Sequence, residues 1–391
     1  MAWKAGSGLS STSGAALEAV REAQATLGGA PVTFGVVFAS PQQDLAAAVS
    51  TAAAETGCGS IIGCTTAGEL TERGLVHGGV ATMLVSAPES VHAAGFTRRV
   101  KESDGAAARQ LCSAFPETAA RASAAGYPHS TTLLLIDGLA GTGERVLKQI
   151  MQGTRPFQQV VGGGAADAGA FRETLVAAPG SCGTNAAAVL HVFGGRRWGV
   201  GVDHGLRPQS PKMVVTRADG NVVLELDRQP AFEVYRAYAK GRGVTLTPEN
   251  AGLFLINNEL GVFLLDQLRC ARAPLRVTPE GGLACASDIP QGSTVSILDG
   301  DVESMVAAAG RAAAEARENL GGADPAAVLL FDCIARHTIM GSSFHQEIEA
   351  VRKVFPGIPM AGFLTYGEIA RYRGRLDGWH NTTAVVTAIP G

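Results

Sequence analysis

Two stretches of this 391-residue chain place a glycine, hydroxyls and a carboxylate in the same order after an apolar run: Gly63-Cys64-Thr65-Thr66-Ala67-Gly68-Glu69 and Gly362-Phe363-Leu364-Thr365-Tyr366-Gly367-Glu368. Glycine permits close backbone approach, the threonine hydroxyls donate and accept, and the glutamates offer carboxylates for binding or for acid and base work. A loop of this kind can present successive backbone N–H groups to an anionic or carbonyl ligand. The competing reading is structural: Glu69 and Glu368 cap backbone amides, and the glycines only punctuate the chain.

A second constellation is Cys333, Arg336 and His337. A cation near a thiol favours the thiolate, the form required of a nucleophile or a soft metal ligand. Cys64, inside the first loop, is the other candidate. Free cysteines are also among the most buried small side chains, so an inert core role competes for both. Arg336 offers a planar fork for a carboxylate or a haem propionate, or else it fastens the loop by pairing with Asp332 or Glu368. His337 is the best histidine for a haem iron, because it stands beside these two residues.

Three matching blocks must position these groups. Each has an apolar strand, a helix and a second strand running to a glycine: Val32–Phe38 to Gly63, Leu133–Asp137 to Gly162, and Val328–Cys333 to Gly362. From Phe38 and Asp137 to the glycine is 25 residues in the first two (63 minus 38, 162 minus 137), and from Asp332 it is 30 in the third (362 minus 332). Equal spacing predicts a reused unit whose loops converge. The helix of the first block is expected to start at Ser40-Pro41 and end near Gly57, and Ser343 with Gln346 to cap the third. Asp219-Gly220 predicts a hairpin between Met213–Thr216 and Val222–Leu226. Pro230 opens a helix, and 304–320 reads as a surface helix.

Gly63–Glu69, Ala361–Ile369, Asp332-Cys333-Ile334-Ala335-Arg336 and His380-Asn381-Thr382-Thr383 resemble signature stretches of FIST proteins, N-terminal half first. The resemblance covers roughly residues 30 to 390. It implies a ligand-binding sensory module in signal transduction, and some relatives are haem-binding nitric oxide sensors. The ligand set that follows is Gly63, Cys64, Thr65, Thr66, Glu69, Cys333, Arg336, Thr365, Tyr366 and Glu368, with His337 for haem. Three functions stay open: a sensor of a small polar molecule such as an amino acid or related metabolite, a haem protein, and an enzyme using Cys333 or Cys64.

Composition sets the outer bounds. The chain is too long for one typical core, and alternating strands and helices predict α/β layers in two halves, 30–205 and 206–391, with mixed sheets. Lys and Arg number 32 against 35 Asp and Glu, without a dense basic run, so nucleic acid is not an expected partner. No apolar segment long enough for a membrane span or a signal peptide is visible, which points to the cytoplasm. The seven cysteines show no paired zinc spacing and are expected as reduced thiols. Phosphate-loop, HExxH, GxSxG and dinucleotide motifs are missing from the sequence, and any signal is expected to pass to a separate signalling enzyme.

Overall fold

A computed structural model describes residues 2–155, 158–372 and 378–391. The chain is written in three units of one topology, joined in a ring. The first unit is β1 (Lys4–Ser10), α1 (Ala15–Leu27), β2 (Phe34–Ala39), α2 (Leu45–Thr56), β3 (Ile61–Thr65), a hairpin of β4 (Glu69–Thr71) and β5 (Gly74–Val76), and a return strand β6 (Val80–Ser86). The second is β7 (Ser90–Arg98), α3 (Asp104–Leu111), α4 (Phe115–Ala124), β8 (His129–Ile136), α5 (Gly143–Gly153), β9 (Gln159–Gly164), the hairpin β10 (Val176–Ala178) and β11 (Ser181–Gly183), and the return strand β12 (Ala186–Gly194).

The third unit opens with β13 (Gly199–Asp203) and is then interrupted by an insert. The insert holds β14 (Arg207–Pro208), β15 (Met213–Asp219), β16 (Val222–Leu226), β17 (Gln229–Pro230), α6 (Ala231–Lys240) and α7 (Ala251–Asn257). It continues through β18 (Glu259–Leu264), β19 (Gln267–Arg272), β20 (Pro274–Val277), β21 (Leu283–Cys285) and β22 (Thr294–Asp299). The unit then resumes with α8 (Val302–Asn319), β23 (Pro325–Cys333), α9 (Ile334–Met340), α10 (His345–Val354), β24 (Met360–Thr365), the hairpin β25 (Glu368–Arg371) and β26 (Trp379–His380), and β27 (Ala384–Pro390). Residues 30–205 thus carry most of the first unit, the second unit and β13, while 206–391 carry the insert and the rest of the third.

Each unit builds a four-stranded mixed sheet: its first strand, its return strand, and a parallel pair, β2–β3, β8–β9 or β23–β24. The hairpin does not stay at home. β10–β11 of the second unit extend the first unit's sheet beside β3, β25–β26 of the third extend the second's beside β9, and β4–β5 of the first extend the third's beside β24. Every parallel pair is thereby covered at its open edge by a neighbour, which removes an exposed edge strand and locks the units together.

Gly63, Gly162 and Gly362 lie inside β3, β9 and β24, opposite Val37, Leu134 and Leu330 of the parallel partner. A Cβ at Gly162 or Gly362 would lie 1.9 Å from the partner's carbonyl oxygen, and one at Gly63 2.6 Å. These glycines therefore set strand spacing, and the turns begin two or three residues later.

The inner faces of the three sheets share one dry core that includes Phe38, Phe331 and Phe363, with the Phe38 and Phe363 rings 4.8 Å apart. Helices cover the outer faces: α1 and α2 on the first sheet, α3 to α5 on the second, and α8 and α10 on the third. The insert has its own core, with Tyr235 and Phe232 of α6 packed on its sheet.

Local signals held with shifts. α2 ends at Gly57 in the left-handed conformation, but it starts at Leu45, capped by Asp44 accepting from the Ala47 N–H at 2.9 Å. Ser40 instead makes a preceding turn, accepting the Gln43 N–H through its carbonyl at 2.9 Å. α10 carries no side-chain cap and follows a 3-10 turn at Gly341–Phe344. The hairpin β15–β16 and the helix after Pro230 form as expected. The segment read as a surface helix buries an alanine face, Ala308, Ala309, Ala312, Ala313 and Ala316, against β13 and β27. Among the described residues, no helix is long and apolar enough to cross a membrane.

Candidate functional site

The two threonine–glutamate loops form matching buried clasps. Glu69 enters the first residue of its donated hairpin, accepts the Thr66 hydroxyl on Oε1 and accepts the Gly79 N–H on Oε2 at 2.9 Å. Glu368 accepts the Thr365 hydroxyl on Oε1 and the Thr383 N–H on Oε2 at 3.2 Å. Both glutamates are fully enclosed. Burial raises the Glu69 carboxyl to about 7 and that of Glu368 to about 8, against the hydrogen bonds that pull the other way.

The loops do converge. Ala67 N–H donates to the Leu364 carbonyl at 3.0 Å, Tyr366 N–H to that of Gly164 at 3.1 Å, and Ala166 N–H to that of Thr65 at 2.9 Å. Thr65 Oγ1 accepts the Leu175 N–H at 3.0 Å, and the Tyr366 hydroxyl donates to Asp167. These amides are therefore spent on joining the three units.

Arg336 is the densest node. It is fully enclosed, and its guanidinium donates to the carbonyls of His204 at 2.8 Å, Thr382 at 3.2 Å and Met305 at 3.0 Å. It also donates to Glu347 through Nε at 2.9 Å and through Nη2, while Nε lies 3.2 Å from Asp332. All five N–H groups have protein acceptors. Burial, reinforced by the neighbouring Glu347, holds the Asp332 carboxyl well above the usual carboxylate range.

Cys64 and Cys333 are buried, and desolvation raises both thiols well above their ordinary value, so each stays a thiol at neutral pH. Native protein is expected to leave both unlabelled by iodoacetamide while the half-buried Cys182 reacts; peptide mapping that finds Cys333 alkylated before unfolding would overturn this assignment. His337 is half-buried, its ring packed edge-on against His77 at 5.5 Å and Phe344 at 5.3 Å, and burial followed by the adjacent His77 lowers its proton affinity. Among the described residues no group of three or more His, Cys, Asp and Glu gathers to hold a metal ion.

The ring of units reveals what the sequence pattern did not. Counting from the paired glycines, Ser40, Asp137 and Cys333 occupy one equivalent position, just past the ends of β2 and β8 and at the last residue of β23. In the first and third units the buried carboxylate comes from the donated hairpin. In the second, Val176 holds the hairpin position opposite Cys64, and Asp137 supplies the carboxylate from the strand end instead. Asp137 takes the same pair of partners, a threonine hydroxyl from Thr174 and the N–H of Asn185, the residue before the return strand, and also the Leu139 N–H at 2.9 Å.

With the carboxylate moved to the strand, this end opens into a cavity of about 220 Å³. Asp137, Gly143 and Glu144 form one side of it, and Asn221, Ser287 and Asp288 of the insert face them. Trp379 closes one wall, packed so tightly that a Cβ on Gly143 would lie 2.2 Å from its ring. Arg272 of β19 braces the insert here, donating to the Trp379 carbonyl at 3.1 Å, with Nη2 3.5 Å from Glu144. None of the residues singled out from the sequence lines this cavity. The sequence signals are the glycine-rich run Asp137–Gly143 and the second copy's loop Gly162–Asp167, which lacks the Thr and Glu of the other copies.

Comparison with known proteins agrees with the motif reading. Residues 33–229 match the FIST N domain and residues 231–371 the FIST C domain. An uncharacterized protein of Mycobacterium bovis is 28% identical over 198 residues, covering 47% of this chain and 48% of that protein. An uncharacterized protein of Mycobacterium tuberculosis is 28% identical over 195 residues with the same coverage, so the chain spans about half the length of the curated relatives it matches. FIST domains are associated with sensory signal transduction, and with both domains matched in order along most of its length, this chain belongs to the FIST family.

Proposed function

We propose that this protein is a small-ligand-binding sensor acting in cytoplasmic signal transduction, and that its ligand site is the cleft between the end of β8, Trp379 and the insert. The observation that carries the reading is the unequal treatment of three equivalent strand ends. At β2 and β23 the space is filled by Glu69 and Glu368, whereas the end of β8 borders a cavity with polar groups on both sides and an aromatic wall. Strand ends of open α/β sheets are where ligands bind, and a cavity bordered by two separately packed bodies can report occupancy as a change in their relation. A small polar molecule such as an amino acid or related metabolite suits its size. The buried clasps and Arg336 then act as supports, and a separate signalling enzyme receives the output.

The test is a replacement that fills the cleft from an exposed position. Asn221→Trp is expected to abolish the thermal shift produced by whichever compound in a metabolite panel raises the melting temperature of the full-length protein. A shift that persists undiminished in the variant would place the ligand elsewhere.

A further inference from the structure

The charges of the cleft choose among small polar ligands. Three carboxylates line it, Asp137, Glu144 and Asp288, against one lining cation, Arg145. Arg145 is half-exposed and stands 3.9 Å from Asp288 and 3.8 Å from Asp104, too far for hydrogen bonds. Asp137 is already met by three protein donors. Glu144 is different. Its Oε1 reaches Lys148 on the surface at 3.0 Å, while its Oε2 is buried and accepts no hydrogen bond. Arg272 Nη2 stands 3.5 Å from Oε2 as an ion pair without a hydrogen bond, and its other nitrogens are held by the carbonyls of Ala271, Trp379 and Asp288.

A buried carboxylate oxygen without a donor is costly, and an N–H donor brought by a ligand removes that cost. Beside it stands the Trp379 ring, a surface that attracts cations. We propose that the cleft takes a small amine of net positive charge, its ammonium seated between Glu144 and Trp379. A zwitterionic amino acid fits less well, because its carboxylate meets Asp137 and Asp288 with only Arg145 to offset them. This inference rests on the cleft being the ligand site.

Isothermal titration of the full-length protein at neutral pH with diaminobutane, aminobutanoate and butanoate tests it, since these share one four-carbon backbone and differ in charge. The diamine is expected to bind about tenfold or more tightly than aminobutanoate, and butanoate weakest. Glu144→Gln should weaken the diamine by about ten- to a hundredfold, the loss of a charge-assisted bond, while Glu144→Asp, which keeps the charge, should lose less. Circular dichroism of each variant reports whether it has kept its fold. Equal binding of butanoate, unchanged affinity in a folded Glu144→Gln variant, or no heat from the diamine overturns the amine. If aminobutanoate or butanoate binds instead and Asn221→Trp abolishes that binding, the cleft stands and the charge argument falls; binding that survives Asn221→Trp overturns both.

Discussion

Replacing Arg336 by Met is expected to cost about 3–5 kcal/mol of folding stability, read as a lower denaturant midpoint, because it leaves Glu347 an uncompensated buried charge. The same change strands three carbonyls, those of His204, Met305 and Thr382, which come from the start of the insert, from α8 and from the approach to β27. Arg336 thus pins the insert's entry to the third unit. Arg336→Lys keeps the charge yet loses the fork, so it should recover only part of the loss. The double change Arg336→Met with Glu347→Met should be milder than Arg336→Met alone, since it removes the Glu347 carboxylate along with its partner, although the three carbonyls and Asp332 stay unpaired. A single variant that loses less than about 1 kcal/mol, the range of an exposed ion pair, would show that the node is not a structural anchor.

The sequence carried the repeat and the family plainly, and the reason is physical. The parallel pairs are fully buried, so β2, β8 and β23 must be written as continuous apolar runs. The glycines opposite Val37, Leu134 and Leu330 are fixed by carbonyl contacts that no side chain survives. Two of the three units also repeat the Thr–Glu clasp, because each donated hairpin brings its carboxylate to the same buried spot. What a single sequence does not write down is the exchange of hairpins. Which unit receives β4, β10 or β25 depends on edges that lie far apart along the chain.

The same exchange sets what the glycine loops do in the fold. Glycine, hydroxyl and carboxylate together look like a ligand loop, but here the amides of Ala67, Ala166 and Tyr366 are consumed between units. The open strand end is the one that departs from the pattern, at Asp137 and Val176. Trp379 and Ser287 reach it from the third unit's hairpin and from the insert, distances no local motif encodes.

Stability is expected to fall as pH rises from about 5 to about 8, by roughly 3–6 kcal/mol, because the buried glutamates prefer to stay protonated. Burial raises Glu69 to about 7 and Glu259 and Glu368 to about 8, from an ordinary 4.5. In the unfolded chain each ionises near 4.5, so above that pH the unfolded state holds fewer protons than the folded one. Stability therefore drains away until the folded carboxyls ionise in turn. The three shifts added at about 1.4 kcal/mol per unit come to about 13 kcal/mol, near the upper end of the typical net stability of a domain, and local opening that rehydrates a carboxylate limits the loss. His191 works in the other direction. Its ring is buried between Thr132 and the Leu111 carbonyl, burial lowers it to about 4, and protonation of the unfolded chain removes stability as pH falls from 6.5 toward 4. The two windows overlap between about pH 4.5 and 6.5, where three carboxylates outweigh one imidazole, so the optimum set by these groups should lie below about pH 5. Glu259 is the informative position, since β18 of the insert meets the third unit where it accepts the Thr382 hydroxyl. Glu259→Gln keeps the shape and removes the ionisation, so it should flatten the profile and raise stability at pH 8 relative to the unmodified chain. Urea unfolding at pH 5 and pH 8 decides the matter: a chain more stable at pH 8 than at pH 5 would mean that these carboxylates are ionised in the fold and find donors there.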